Sequence, residues 1–130
     1  MENVYIGVTF DNMDDTNGFT AASSVLFNDC QGSYVYINNV IIEYAAPLTA
    51  TYGGYAIFQD FSISKFNGLY IIGATKLTPD TLTGSSTAYG CYADRAALKA
   101  AGIDFSSWYA GGFWAEHATD LIPVPASTVN

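Results

Sequence analysis

The feature that most constrains this fold is a two-residue alternation of apolar side chains. From Val4 to Phe10, Val4, Ile6, Val8 and Phe10 share one face of an extended segment. A period of two is typical of a β-strand that buries one face. Further segments rich in Val, Ile, Thr and Tyr follow, separated by Gly, Asn and Pro, and they predict a mainly β protein.

Two Asn-containing dipeptides indicate where strands reverse. Asn67-Gly68 separates two β-prone runs and favours a type I′ turn, which needs positive φ at both central residues. It therefore predicts an antiparallel hairpin. Asn38-Asn39 lies inside the β-prone segment 34–44 and permits either a tight hairpin or one continuous strand.

One short α-helix is predicted near residues 94–101. Asp94 is suited to the N-cap position, the segment 95–101 consists of strong helix formers, and Gly102 fits the position just after the helix. A helix this short needs a sheet to pack against.

These elements predict a two-sheet antiparallel sandwich of roughly seven to ten strands, with jelly-roll wiring as one version of it and a β-barrel as the alternative. The chain has 130 residues, which suits one domain. We assign residues 1–120 to the sandwich. Pro123 and Pro125 block helix and central-strand pairing, so residues 121–130 are predicted to form an extended C-terminal arm.

The charge balance excludes two classes of partner. Lys and Arg number 4 and Asp and Glu 12, which gives a formal net charge of −8. Direct binding to nucleic acid or to an anionic membrane draws on cationic side chains, so neither is expected. No apolar run approaches the ~18 residues of a membrane span.

No motif in the sequence indicates catalysis or a cofactor. His117 is the single histidine, and no Gly-x-Ser-x-Gly elbow, Walker loop or dinucleotide fingerprint occurs. We therefore predict a non-enzymatic protein without a cofactor. The acidic, polar start Met1-Glu2-Asn3 lacks the pattern of a signal peptide and favours folding in the cytoplasm. Cys30 and Cys91 would stay reduced there, and a disulfide between them would need export.

One acidic loop is a weak candidate for calcium. It places several hard oxygen ligands within a short, turn-rich stretch. Its candidate ligands are Asp11, Asp14, Asp15 and Asn17. The spacing does not match the EF-hand loop, and hydrated turns have the same composition, so no metal site is predicted.

The aromatic cluster near the C-terminus is the leading candidate for an interface or a ligand platform. Large aromatic side chains dominate both protein interfaces and sugar-stacking surfaces. With the apolar part of the predicted arm, the candidate residues are Trp108, Tyr109, Phe113, Trp114, Ile122, Pro123, Val124 and Pro125.

Scarce charge, a 15% aromatic content and the apolar arm together favour a subunit whose surface lies against other protein. We expect a structural subunit that forms a homo-oligomer and joins a larger assembly such as a capsid shell. A virion outer-surface protein, of the capsid decoration (cement) or another accessory kind, fits best, folded in the host cytoplasm. The alternative is an extracellular, lectin-like β-sandwich module that binds a glycan.

Overall fold

The computed structural model describes residues 1–8, 36–45, 65–73 and 87–129. It confirms a mainly β fold with one short α-helix. The strands are β1 (Glu2–Val8), β2 (Tyr36–Tyr44), β3 (Lys65–Ile72), β4 (Thr87–Tyr92), β5 (Trp114–Glu116) and β6 (Pro123–Pro125). The helices are α1 (Arg95–Ala100) and two 3₁₀ helices, Ser106–Gly111 and Ala126–Thr128.

Strands β1 to β4 form one sheet in sequence order, and every neighbouring pair in it is parallel. The register places Val4 beside Val40 and Val40 beside Leu69. The antiparallel pairing predicted from the sequence is therefore wrong for this sheet. Antiparallel pairing occurs between the short strands β5 and β6.

The predicted Asn67-Gly68 hairpin is wrong because the dipeptide lies inside the continuous strand β3. Gly68 has φ of +85°, whereas Asn67 does not enter the left-handed region. A type I′ turn needs both. One left-handed residue bends the strand without reversing it. At Asn38-Asn39 the continuous-strand alternative is confirmed, since both residues lie within β2.

Three left-handed residues lie side by side across the first three strands. Asn3 and Asn39 both have φ of +53°, and the register aligns them with each other and with Gly68. The Asn39 side-chain amide donates to Asn3 Oδ1 at 3.3 Å. Asn tolerates this conformation better than most residues, so the bend repeats in register from strand to strand.

The helix predicted near 94–101 is confirmed. The Asp94 carboxylate accepts a hydrogen bond from the Ala97 N–H at 2.8 Å, which caps the first turn. Gly102 follows the helix with φ of +68°. Leu98 is fully buried and packs α1 into the core, as a helix of six residues requires.

The C-terminal segment 93–129 covers one face of the parallel sheet. Sheet residues and segment residues meet in one apolar cluster, whose members are Ile41, Tyr70, Ile72, Leu98, Phe105, Trp108, Trp114 and Ile122. Within this segment, Ser106–Gly111 forms a 3₁₀ helix that contributes the buried Trp108. Within the described residues, no helix is long and apolar enough to cross a membrane.

Candidate functional site

A groove of about 430 Å³ opens between the first strand of the sheet and the C-terminal segment. Its walls combine an apolar side with a side of ionisable groups. The lining residues are Tyr5, Arg95, His117, Asp120, Val124, Pro125 and Thr128.

Arg95 is the central residue of this groove. As the first residue of α1, it extends from the helix start toward the sheet. Its Nε and Nη2 donate to the two carboxylate oxygens of Glu43 at 2.7 and 2.6 Å, and its Nη1 donates to Asp120 Oδ2 at 3.2 Å. The pairing with Glu43 is bidentate, which fixes the guanidinium plane.

Glu43 is positioned by strand β2, where its register partner on β1 is Gly7. A glycine there leaves the space beside the carboxylate free of a neighbouring side chain. Tyr5 also points into this region, and its hydroxyl donates to Glu43 Oε2 at 2.5 Å. Glu43 therefore joins β1, β2 and α1 through one side chain.

His117 and Asp120 form the far wall and are held by a tight turn after β5. The Leu121 N–H donates to the His117 carbonyl at 2.9 Å, and Leu121 has a left-handed φ of +57°. The Asp120 N–H donates to His117 Nδ1 at 3.2 Å, and Asp120 Oδ2 lies 3.2 Å from the same nitrogen. Both contacts hold the imidazole of His117 against this turn.

The electrostatics of the groove favour fixed charges. Burial acts to raise the pKa of Glu43, but its hydrogen bonds from Arg95 and Tyr5 outweigh burial and hold the pKa below the usual 4.5. Burial, followed by the hydrogen bond to Glu43, raises the pKa of Tyr5 to about 12. Hydrogen bonding to Glu43 raises the pKa of Arg95. Near neutral pH the three side chains therefore act as an ion pair with a phenol donor.

Cys91 is half-buried in β4, away from these groups. Burial raises the pKa of its thiol to about 12. A nucleophilic cysteine needs a lowered pKa, so Cys91 is suited to packing. Cys30 lies outside the described residues.

The predicted aromatic platform is divided between core and surface. Trp108 and Trp114 are buried, at 7% and 2% exposure, with ring centroids 5.2 Å apart. Tyr109 is half-buried, and among the described residues its hydroxyl has no hydrogen-bond partner. Phe113 is 40% exposed and packs edge-on against Trp114. The structure thus does not bring the four rings together on one exposed face.

The apolar residues of the predicted arm lie against the rest of the chain. Ile122 and Val124 are buried, and Pro123–Pro125 pairs with Trp114–Glu116 as β6. Val124 and Pro125 also line the groove. Up to residue 129, this segment is therefore part of the C-terminal layer.

The calcium candidates Asp11, Asp14, Asp15 and Asn17 lie outside the described residues. Among residues 1–8, 36–45, 65–73 and 87–129, no group of three or more His, Cys, Asp or Glu is arranged to hold a metal ion.

Four groove residues were not predicted from the sequence: Tyr5, Glu43, Arg95 and Asp120. One signal was present: Glu43 is a lone acid between Ile42 and Tyr44 in an apolar strand. A half-buried acid needs a partner, and the chain offers four cationic residues. Nothing in the sequence identifies Arg95 as that partner.

Comparison of the chain with protein-family models, with curated proteins and with solved structures finds no match.

Proposed function

We propose that this protein is a non-enzymatic structural subunit of a symmetric assembly. The observation that carries the proposal is the edge of the parallel sheet. Strand β1 pairs with β2 on one side, and the described residues supply no strand for its other side. An uncharged strand edge is a template for pairing with another chain.

The composition of this edge supports the proposal. Proteins that stay monomeric protect an edge strand with inward-pointing charges, Lys or Pro. Strand β1 has one charged residue, Glu2, at its end, and the stretch Val4–Val8 has neither charge nor proline. The central strands β2 and β3 are largely buried, whereas every side chain of β1 is half-buried or exposed.

The ionisable groups of the groove support a structural role for this region. Arg95 is bonded to Glu43 and Asp120 and thereby ties the C-terminal segment to the sheet. These side chains hold one another in place, and the pKa shifts of Glu43, Tyr5 and Arg95 all favour the protonation states that they have in this network.

The assembly that we favour is the outer surface of a virion, where the chain acts as a capsid decoration (cement) or other accessory protein. A net charge of −8 suits a surface turned away from packaged nucleic acid. Large exposed apolar side chains offer further contact area to a shell. They include Tyr36, Tyr89, Phe113 and Leu121.

A layered architecture stays part of this proposal. Val40, Ile42, Leu69 and Ile71 are fully buried, although the register and the two-residue alternation set them on the sheet face opposite the C-terminal segment. A parallel sheet is normally covered on both faces. We therefore propose a sandwich-like second layer there, without the antiparallel order of a jelly roll in β1 to β4.

The carbohydrate-binding alternative needs exposed ring faces. Burial of Trp108 and Trp114 removes the two largest rings of its platform, so no observation favours it.

The test of self-assembly is light scattering after size exclusion over a wide range of concentrations. We expect a mass that is a multiple of 13.9 kDa. A monomer at every concentration would refute a self-assembling subunit. The virion role is tested by fractionating cells that naturally make the chain. The protein should sediment with particles and be removed by protease from intact particles, and its recovery in the soluble fraction alone would refute that role.

A further inference from the structure

We propose that the outer edge of β1 is a homodimer contact, in which β1 pairs antiparallel with β1 of a second copy about a two-fold axis at Ile6. This inference rests on the assembly role proposed above and names the surface that performs it. The contact is supported by the direction of the main-chain groups, by the match of the facing side chains and by charge.

The direction of the main-chain groups follows from one hydrogen bond. The Val8 carbonyl accepts from the Ala45 N–H at 2.8 Å, so Val8 directs its main-chain groups toward β2. Successive residues of a strand direct these groups to opposite sides. Tyr5 and Gly7 therefore direct their N–H and C=O groups away from β2, toward the side of β1 on which the described residues supply no strand.

Antiparallel pairing about Ile6 uses these groups fully. Tyr5 of each copy then lies opposite Gly7 of the other, and such a pair exchanges both of its main-chain hydrogen bonds. Ile6 lies opposite the second copy's Ile6, where strands approach most closely.

The facing side chains match in this register. Val4 lies opposite the second copy's Val8, which extends the apolar contact made by the two Ile6 side chains. All three residues are half-buried in the single chain and can bury more area in the dimer. On the other face, the exposed Gly7 leaves room for the second copy's Tyr5 ring.

Charge and backbone shape favour a second copy in this orientation. The paired stretch Val4–Val8 has no charge, and antiparallel order places the two Glu2 side chains at opposite ends. A parallel partner would have to follow the left-handed bend at Asn3. An antiparallel partner pairs only with Val4–Val8, which follow that bend in the chain. The resulting contact is isologous and closed, as a two-fold dimer requires.

The test compares Gly7→Pro with Gly7→Ala by sedimentation equilibrium. Proline removes the outward N–H and leaves the β1–β2 ladder intact. Alanine keeps the N–H, and a Cβ at Gly7 would lie 3.8 Å from Tyr5 Cε1, an ordinary contact. We expect the dimer of the proline variant to dissociate at least ~10-fold more readily than that of the alanine variant, which keeps the N–H. An oligomeric wild type with an equally oligomeric proline variant would overturn the contact and leave the assembly role intact.

Hydrogen exchange in the wild type tests the same contact without a variant. The Tyr5 and Gly7 amides should exchange more slowly as protein concentration rises, because dimer formation covers them. The Ile6 and Val8 amides, bonded to β2, should not change. Equal protection of Tyr5 and Gly7 at every concentration would show an edge already paired within one chain and would overturn the proposal. A monomeric wild type would refute the assembly role as well.

Discussion

Two contacts fasten the C-terminal segment to the parallel sheet, and their chemistry is opposite. One is the aromatic contact, in which Trp108 and Trp114 are packed against Tyr70 and its neighbours. The other is the ionic contact, in which Arg95 joins Glu43 and Asp120. Both hold the same two layers together, so their difference shows how each kind of contact serves a fold.

The difference begins with exposure to water. Trp114 is 2% exposed, whereas the side chains of Arg95 and Glu43 keep 27% and 20% of their surface. Apolar burial stabilises in proportion to area, while a partly solvated ion pair gains little net free energy. The aromatic contact should therefore supply most of the stability, and the ionic contact should fix how the segment is oriented.

The largest expected effect comes from breaking the aromatic contact. Trp114→Ala should lower the free energy of unfolding by ~3–5 kcal/mol, because it empties a buried site that the fold cannot refill. The indole N–H also donates to Asn3 Oδ1 at 3.2 Å, and that bond is lost as well. Urea unfolding followed by circular dichroism measures the change.

The matched control is Phe113→Ala, on the preceding residue of the chain. Phe113 is 40% exposed and should contribute much less than Trp114, because water already reaches a large part of the surface that the variant removes. Similar destabilisation by both variants would mean that burial does not separate the two rings, and the ranking of the contacts would fail.

A second test probes the place where the aromatic contact meets the sheet. A Cβ added at Gly68 would lie 2.6 Å from Trp108 Cζ2 and 3.2 Å from the Asn39 nitrogen. Gly68→Ala should therefore cost ~2–4 kcal/mol, from the left-handed backbone and from the displaced indole together.

Gly102→Ala isolates the backbone part of that cost. Gly102 is also left-handed, with φ of +68°, but a Cβ there would have nothing within 4 Å. This variant should lose ~1 kcal/mol or slightly more. If the two alanine variants unfold at the same urea concentration, the close approach of Trp108 to Gly68 has no energetic weight.

Some of this fold could be predicted from the sequence. The helix was predictable because a capping Asp94, a run of helix formers and Gly102 are all local signals. The parallel sheet was not, because Asn67-Gly68 is also the strongest local signal for a hairpin. The decisive fact, that Asn67 remains extended and Gly68 stacks on Asn39, depends on a residue 29 positions earlier in the chain.

A signal for the parallel order was nevertheless present. Val40-Ile41-Ile42 and Leu69-Tyr70-Ile71-Ile72 are continuous apolar runs, which are typical of parallel strands buried on both faces. Each run follows an Asn or Gly that proves to be left-handed, as Val4-Tyr5-Ile6 follows Asn3. The groove was harder to predict, because Arg95 and Glu43 are 52 residues apart and meet through topology alone.

A third test removes the cation of the ionic contact. Arg95→Leu leaves Glu43 and Asp120 without their shared partner and should cost ~1–2 kcal/mol, which is less than Trp114→Ala because water still screens both carboxylates. Lys99→Leu on the exposed side of the same helix is the control and should change stability by less than ~0.5 kcal/mol. If Arg95→Leu lowered the free energy of unfolding as much as Trp114→Ala does, the ionic contact would contribute as much stability as the aromatic contact, and the ranking of the two contacts would be wrong.

The smallest expected effect lies in the pH dependence of the ionic contact. The pKa of Glu43 is held below 4.5 in the folded chain, so its carboxylate stabilises the fold above that pH, and the stabilisation is lost as pH falls through the lower folded value. Glu43→Gln should therefore be about 1 kcal/mol less stable than wild type near neutral pH, and this difference should shrink as pH falls through the lowered pKa of Glu43.

The double variant Glu43→Gln, Arg95→Leu tests whether this pH dependence comes from the pair. Compared with Arg95→Leu alone, it should gain stability as pH rises from about pH 3 to about pH 7, because without the guanidinium the burial of the remaining Glu43 carboxylate is no longer offset and disfavours its charged form. Urea midpoints across that range measure the effect. A gap between wild type and Glu43→Gln that stays constant with pH would mean that Glu43 contributes by packing and neutral hydrogen bonding. The ionic and aromatic contacts would then differ in the area that each buries, and charge would no longer distinguish them.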